Sequence, residues 1–233
     1  MKNYHRILIG MALCGILPAM LWASDRDEDT ARVQKAAQVF REVVNTPDKG
    51  IPDRLLRSAK CIAVIPGDKK FAFVFGGNYG RGVASCRTDH GWSAPLFLAV
   101  EGGSVGYQIG GSSTDLVFLF MNDHAFQSLL GDKFKLGADA SVAAGPVGRD
   151  AAAGTDVKLN AEVLSYSRSK GVFAGVSLDG TVVEADKSGD RAMYGDHVTR
   201  REITSGSVAV PPEAQAFLRE LSEHARESAE VRP

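Results

Sequence analysis

The chain has 233 residues carrying 27 basic and 28 acidic side chains, long enough for one domain with a sizeable core and showing no linker that would divide it in two. That near-neutral balance argues against nucleic acid as the main partner, since phosphate-backbone binding rests on an excess of Lys and Arg. No internal repeat of roughly 20–50 residues occurs, so solenoid and propeller arrays are set aside.

The chain opens as an export signal does. Lys2, His5 and Arg6 form a short basic region before the uncharged apolar run 7–22. That run is short for a spanning helix, which needs about 20 apolar residues, and Pro18 interrupts it before the small residues Ala23 and Ser24. Cleavage is expected after Ala23, leaving 24–233 as a single domain with its core at about 32–221. Two rival readings are a lipoprotein acylated at Cys14, although Leu13 stands where a small residue is required, and an uncleaved anchor, since Leu21 suits cleavage poorly. With Lys2 and Arg6 removed, 25 basic residues face 28 acidic ones, a net charge of −3. The expected location is exported, periplasmic or peripherally membrane-associated.

After the acidic stretch 25–29, Val33, Ala37, Phe40 and Val44 recur at helical spacing, predicting an amphipathic helix over 30–44. Pro52 suits the first turn of a second short helix reaching Lys60. From Cys61 the period changes: 61–65 is continuously apolar and closed by Pro66 and Gly67, as a buried strand is. Strands are expected at 70–75, 82–87, 94–101 and 115–121, followed by a helix over 123–130 capped by Asn122 and stopped by Gly131. Further strands are expected at 133–143, 155–161 and 163–168, and 172–177 and 181–185 flank Asp179-Gly180, a hairpin-turn dipeptide. Helix returns weakly over 191–203 and clearly over 212–226. The predicted class is α+β: a mainly antiparallel, Gly-rich β-sheet or partly closed barrel with N-terminal amphipathic helices and a C-terminal helix.

Two cysteines remain after Cys14 leaves with the signal. Cys61 and Cys86 either pair in an oxidising compartment or serve as small buried hydrophobes, and their spacing, with no C-x-x-C or adjacent histidine, does not fit zinc. Gly102-Gly103-Ser104-Val105-Gly106 matches the nucleophile elbow G-x-S-x-G, but strand and turn follow it where the elbow needs a helix. The glycines of 76–82 read as a hairpin rather than a phosphate loop, and Gly145-Pro146-Val147-Gly148-Arg149 lacks the Lys-Ser/Thr ending of a P-loop. His90, His124, His197 and His224 are scattered, and Glu101 and Asp115 read as structural carboxylates. No catalytic residue, cofactor or metal is expected.

What stands out is charge. Between Arg41 and Lys70 seven basic residues (Arg41, Lys49, Arg54, Arg57, Lys60, Lys69, Lys70) face four acidic ones, a local excess in a slightly acidic chain. Such a patch is either a solvated helix face or a contact for anionic headgroups, each nearby Lys or Arg contributing about 1 kcal/mol.

The ordered motifs Ile51-Pro52 to Ala59-Lys60, Ile62-Ala63-Val64-Ile65-Pro66, Gly80-Arg81-Gly82-Val83, Gly91-Trp92-Ser93-Ala94-Pro95, Gly145 to Arg149 and Gly171-Val172-Phe173-Ala174-Gly175-Val176-Ser177-Leu178-Asp179-Gly180 together resemble the SYLF domain family. The resemblance runs from about Arg32 to about Leu221. It implies a non-enzymatic lipid-binding module: eukaryotic members bind phosphoinositide membranes, some bind actin, and bacterial members are exported. Actin binding does not transfer to an exported chain. By this resemblance, anionic phospholipid is contacted by Arg54, Arg57 and Lys60, with Lys35, Phe40, Arg41, Lys69 and Lys70 contributing from the first helix and the following loop. The acidic stretch 25–29 departs from such a surface. The alternative is a structural or protein-interaction domain of the cell envelope.

Overall fold

Both faces of strand β1 (Cys61–Ile65) are buried, which is why its sequence is continuously apolar instead of alternating. Cys61, Ala63 and Ile65 belong to one core cluster, Ile62 and Val64 to another on the opposite face. The structure, a computed structural model, describes residues 17–46, 50–67, 79–102, 114–148, 160–169 and 172–225, with side chains from Asp25 onward. Helices α1 (Leu17–Val44) and α2 (Asp53–Ser58) precede β1. Then come β2 (Tyr79–Thr88), β3 (Gly91–Trp92), β4 (Leu96–Glu101), β5 (Thr114–Phe120), α3 (Asp123–Leu130), β6 (Lys133–Lys135) and β7 (Val142–Ala144). The chain continues through β8 (Val163–Ser169), β9 (Val172–Gly175), β10 (Val182–Ala185), α4 (Lys187–Tyr194), α5 (Arg200–Ser205), a 3-10 turn (Pro212–Ala214) and α6 (Gln215–His224).

Among the described residues the strands form one sheet in the order β6-β10-β4-β2-β1-β5-β8-β7, with β3 on β2 and β9 on β8. All pairings are antiparallel except β7 with β8. This order forces the sheet to curl. Strands β9 and β10 stand six strand spacings apart, about 29 Å in a flat sheet, yet the chain between Gly175 and Val182 reaches at most about 24 Å. The short link from Lys135 to Val142 ties β6 to β7 across the same seam. The result is a curled half-barrel.

The concave side encloses Leu96, Leu98, Phe118, Phe120 and Phe134, with α3 and Ile203 closing one end. The convex side is covered by α1 and α6, whose Val33, Ala37, Phe40, Val43, Phe217 and Leu221 pack on Val64, Phe97 and Leu119. Cys61 and Cys86 face each other across β1 and β2 and are joined by a disulfide in the structure.

Four expectations need correction. Asp179-Gly180 makes a turn, but β9 pairs with β8 and β10 with β4 and β6, so no hairpin forms between them. The expected strand 133–143 breaks at Gly137, whose φ of +84° turns the chain. The weak helix over 191–203 is two helices separated by Gly195, with φ +88°. Helix α1 begins at Leu17, upstream of the expected start, and runs through Ala23 without a break. Among the described residues no helix is long and apolar enough to cross a membrane. The basic signal region, Cys14, the expected strand 70–75, the Ser104 motif and most of the expected strand 155–161 lie outside the described residues.

Candidate functional site

Helix α2 is amphipathic over a single pair of turns. Pro52 precedes it with φ −57°, Asp53 complements the positive end of its first turn, and Leu55 and Leu56 are buried. Burying that pair turns Arg57 fully outward and leaves Arg54 half-buried. Lys60 follows at the start of β1, where its N–H donates to Phe120 O and its carbonyl accepts from Arg87 N–H, both at 2.8 Å. The backbone of Lys60 is thus fixed to the strand ends of β2 and β5. Its Nζ lies 2.7 Å from Asp123 Oδ1, with the two side chains 46% and 81% exposed. A pair so open to water contributes about 0–1 kcal/mol and yields readily to a competing anion.

Of the other residues expected at a lipid surface, Lys35 is exposed on α1, and Arg41 donates from Nε to Glu220 on α6 at 2.7 Å. Phe40 does not join them. Its side chain is 0% exposed in the convex core, because α1 uses its apolar stripe to cover the sheet, so the expected apolar contact is absent in this conformation. Lys69 and Lys70 lie outside the described residues.

The architecture around the patch is held by arginines. Arg87 donates to the carbonyls of Ala59 (2.8 Å), Leu56 (3.0 Å) and Ala225 (2.6 Å), neutralising the exposed carbonyl ends of α2 and α6. Its guanidinium lies 4.6 Å from the Trp92 ring centroid. Arg168 pairs with Glu42 and with Asp115, whose other oxygen accepts from Gly67 N–H at 2.7 Å, so Asp115 is structural as expected. Glu101 is exposed at the end of β4.

The first half of α1 is tied down by a buried ionic cluster that the sequence did not reveal. Arg32 meets Asp29 at 2.6 Å and Asp186 at 2.8 Å, and Arg81 meets Asp186 at 2.6 Å. Burial pushes Asp29 up to about 6, only partly offset by Arg32 and Arg81. Burial works against ionised Asp186 as well, but hydrogen bonds from Ser188, Arg81 and Gly189 N–H outweigh it and hold that carboxyl well below the usual range. Asp186 is therefore the fixed anion of the cluster and Asp29 the titrating one.

The glycine motifs are explained by close approach. An added Cβ on Gly145 would sit 2.0 Å from Tyr166 Cζ, and one on Gly175 would sit 1.9 Å from Gly145 O. Segment 145–148 thus lies flat over β8 and β9, and its glycines serve packing. Glu220, Glu223 and His224 bring their ligand-type atoms within 4.8 Å of one another, a grouping missed when the histidines were read as scattered. Arg41 already occupies Glu220.

Residues 101–224 match the family model described as Ysc84, Las17-binding protein actin regulator. The chain is 38% identical over 204 residues to protein YSC84 of Saccharomyces cerevisiae, covering 84% of this chain and 43% of that one. It is 32% identical over 192 residues to SH3 domain-containing YSC84-like protein 1 of Homo sapiens, covering 79% of this chain and 56% of that protein. The chain spans about half the length of these curated relatives.

Proposed function

The chain belongs to the Ysc84 (SYLF) family, a family of binding and regulatory domains, and on that premise we propose that it is a non-enzymatic module that docks on anionic phospholipid in the cell envelope after export. The observation that carries the reading is the outward face of α2, where burying Leu55 and Leu56 presents Arg57 and Arg54 beside Lys60 on a rigid backbone. Lys35 and Arg41 are exposed cations on α1, Arg41 being paired with Glu220.

Because Phe40 is committed to the core, attachment through this face is electrostatic and reversible rather than insertive. Headgroups compete with Asp123 for Lys60, and the exposure of both partners keeps that exchange inexpensive. Such attachment weakens with salt, as the Debye length falls from about 10 Å at 0.1 M to about 3 Å at 1 M. Co-sedimentation of the chain from residue 24 onward with phosphatidylglycerol-rich and neutral vesicles over a salt series tests it. Binding to the anionic vesicles that fades with salt supports the proposal; equal affinity for both vesicle types contradicts it.

A second reading, a protein-interaction domain, is favoured by the names of the matching family and relatives, which describe Las17 binding and attached SH3 domains. It predicts no preference for anionic lipid.

A further inference from the structure

At the sheet end where β1, β4 and β8 begin, the connection between α4 and α5 leaves a cavity of about 410 Å³. This lies within the range of small-molecule sites, roughly 300–1,000 Å³. Four cations line it, Lys187 and Arg191 from α4 and Arg200 and Arg201 from α5. Three aspartates also line it, and each is engaged: Asp132 with Lys187 at 2.8 Å, Asp196 with Arg191 at 2.8 Å, and Asp190 with Arg200 at 2.6 Å. The guanidinium of Arg201 has no hydrogen-bond or ion-pair partner among the described residues, and the residue is exposed.

The floor differs from the rim. Arg200, its side chain 11% exposed, donates to Phe97 O at 3.0 Å and Leu129 O at 3.1 Å, yet its Nε is buried without an acceptor. A buried guanidinium N–H left unpaired is costly, and Arg200, which lines the cavity, keeps its positive charge at the floor. The rim pairs of Lys187 and Arg191 are more than half exposed, so they can release their cations to an incoming anion. Burial pushes the Asp190 carboxyl upward, against the pull of Arg200 and the Phe97 N–H.

We propose that this cavity binds a phosphate-bearing headgroup, with Arg201 and Arg191 engaging the phosphate oxygens above the fixed guanidinium of Arg200. The geometry of guanidinium groups suits a tetrahedral oxyanion, each presenting paired N–H donors. The site is separate from the α2 face, and a failure of either leaves the other standing. The shared chemistry is a phosphate ester, which either a soluble phosphate ester or a bilayer lipid can supply.

The test is an amide-resonance titration of the full chain with glycerol phosphate, alongside sedimentation with phosphatidylglycerol vesicles, for wild type, Arg191→Ala/Arg201→Ala and Arg201→Lys. Both replaced residues are exposed, and a melting curve confirms that each variant is folded. Saturable shifts at Gly195, Thr199 and Arg201, weakened about tenfold or more in the double variant and less in Arg201→Lys, support a free phosphate ester as ligand. Vesicle binding weakened by the same double variant, with no saturable glycerol phosphate shifts, supports a lipid headgroup. Binding of both probes unchanged in the double variant, or no binding of either probe by wild type, overturns the proposal. So does loss of the shifts on replacing only Arg54, Arg57 and Lys60, because that would place the ligand on α2.

Discussion

The guanidinium of Arg87 lies 4.6 Å from the ring centroid of Trp92, its register partner on β3, while its N–H groups hold the ends of α2 and α6. Trp92 is only 8% exposed and packs in the convex core. Trp92→Ala therefore removes both a large apolar side chain and the surface on which Arg87 is positioned. A loss of about 3 kcal/mol or more in chemical denaturation is expected, the range for deleting a buried aromatic. An unchanged midpoint would show that Trp92 does not support the core.

The Cys61–Cys86 bridge closes a span of 25 residues between adjacent strands. In protein isolated from its native compartment under non-reducing, denaturing conditions, thiol titration should find neither cysteine free. Replacing both by Ser should cost about 3 kcal/mol, chiefly by restoring freedom to the unfolded chain. Two titratable thiols would remove the bridge from this account.

Gly175 has no room for a side chain, since a Cβ there would approach Gly145 O to 1.9 Å. Gly175→Ala must push segment 145–148 off β9 and should cost as much as the upper end of overpacking penalties, roughly 3 kcal/mol. Gly195→Ala offers the contrast: nothing lies within 4 Å of its added Cβ, so any cost there comes from its φ of +88° alone. Comparable thermal melts for Gly175→Ala and wild type would contradict the close crossing.

Asp29 is a buried acid whose folded-state pKa, about 6, lies above its ordinary value of 3.8. The folded chain therefore binds a proton at this site that the unfolded chain has already released. The contribution is fully present below about pH 4 and is lost as pH rises through about 6, so this group makes the fold less stable at neutral than at mildly acidic pH. Asp29→Asn should flatten the fall in melting temperature between about pH 5 and 7 relative to wild type. An identical slope in the two proteins would show that Asp29 is ionised throughout.

Local pattern was enough for much of the fold. Val33, Ala37, Phe40 and Val44 marked α1, the unbroken apolar run marked β1 as covered on both faces, and Asn122 caps α3 by accepting from Ala125 N–H as its position suggested. The pairing of β9 and β10 was not legible, because Asp179-Gly180 specifies a turn but not which neighbours the flanking strands find, and those neighbours were fixed by the curl of the whole sheet. The ionic cluster was equally hidden, since Arg32 and Asp186 stand 154 positions apart. In the candidate site, charge excess was visible in the sequence, whereas the burial of Phe40 and the pairing of Lys60 with Asp123 emerge only from packing. An amphipathic helix reads the same whether its apolar face covers a sheet or meets a bilayer.

The most direct test of the central claim compares wild type with Arg54→Ala/Arg57→Ala/Lys60→Ala in sedimentation with phosphatidylglycerol-rich vesicles, once both are shown to melt alike. Three cations at about 1 kcal/mol each predict a loss on the order of a hundredfold in affinity at low salt, shrinking as salt rises. Undiminished binding by the folded triple variant would contradict the assignment of this face to lipid.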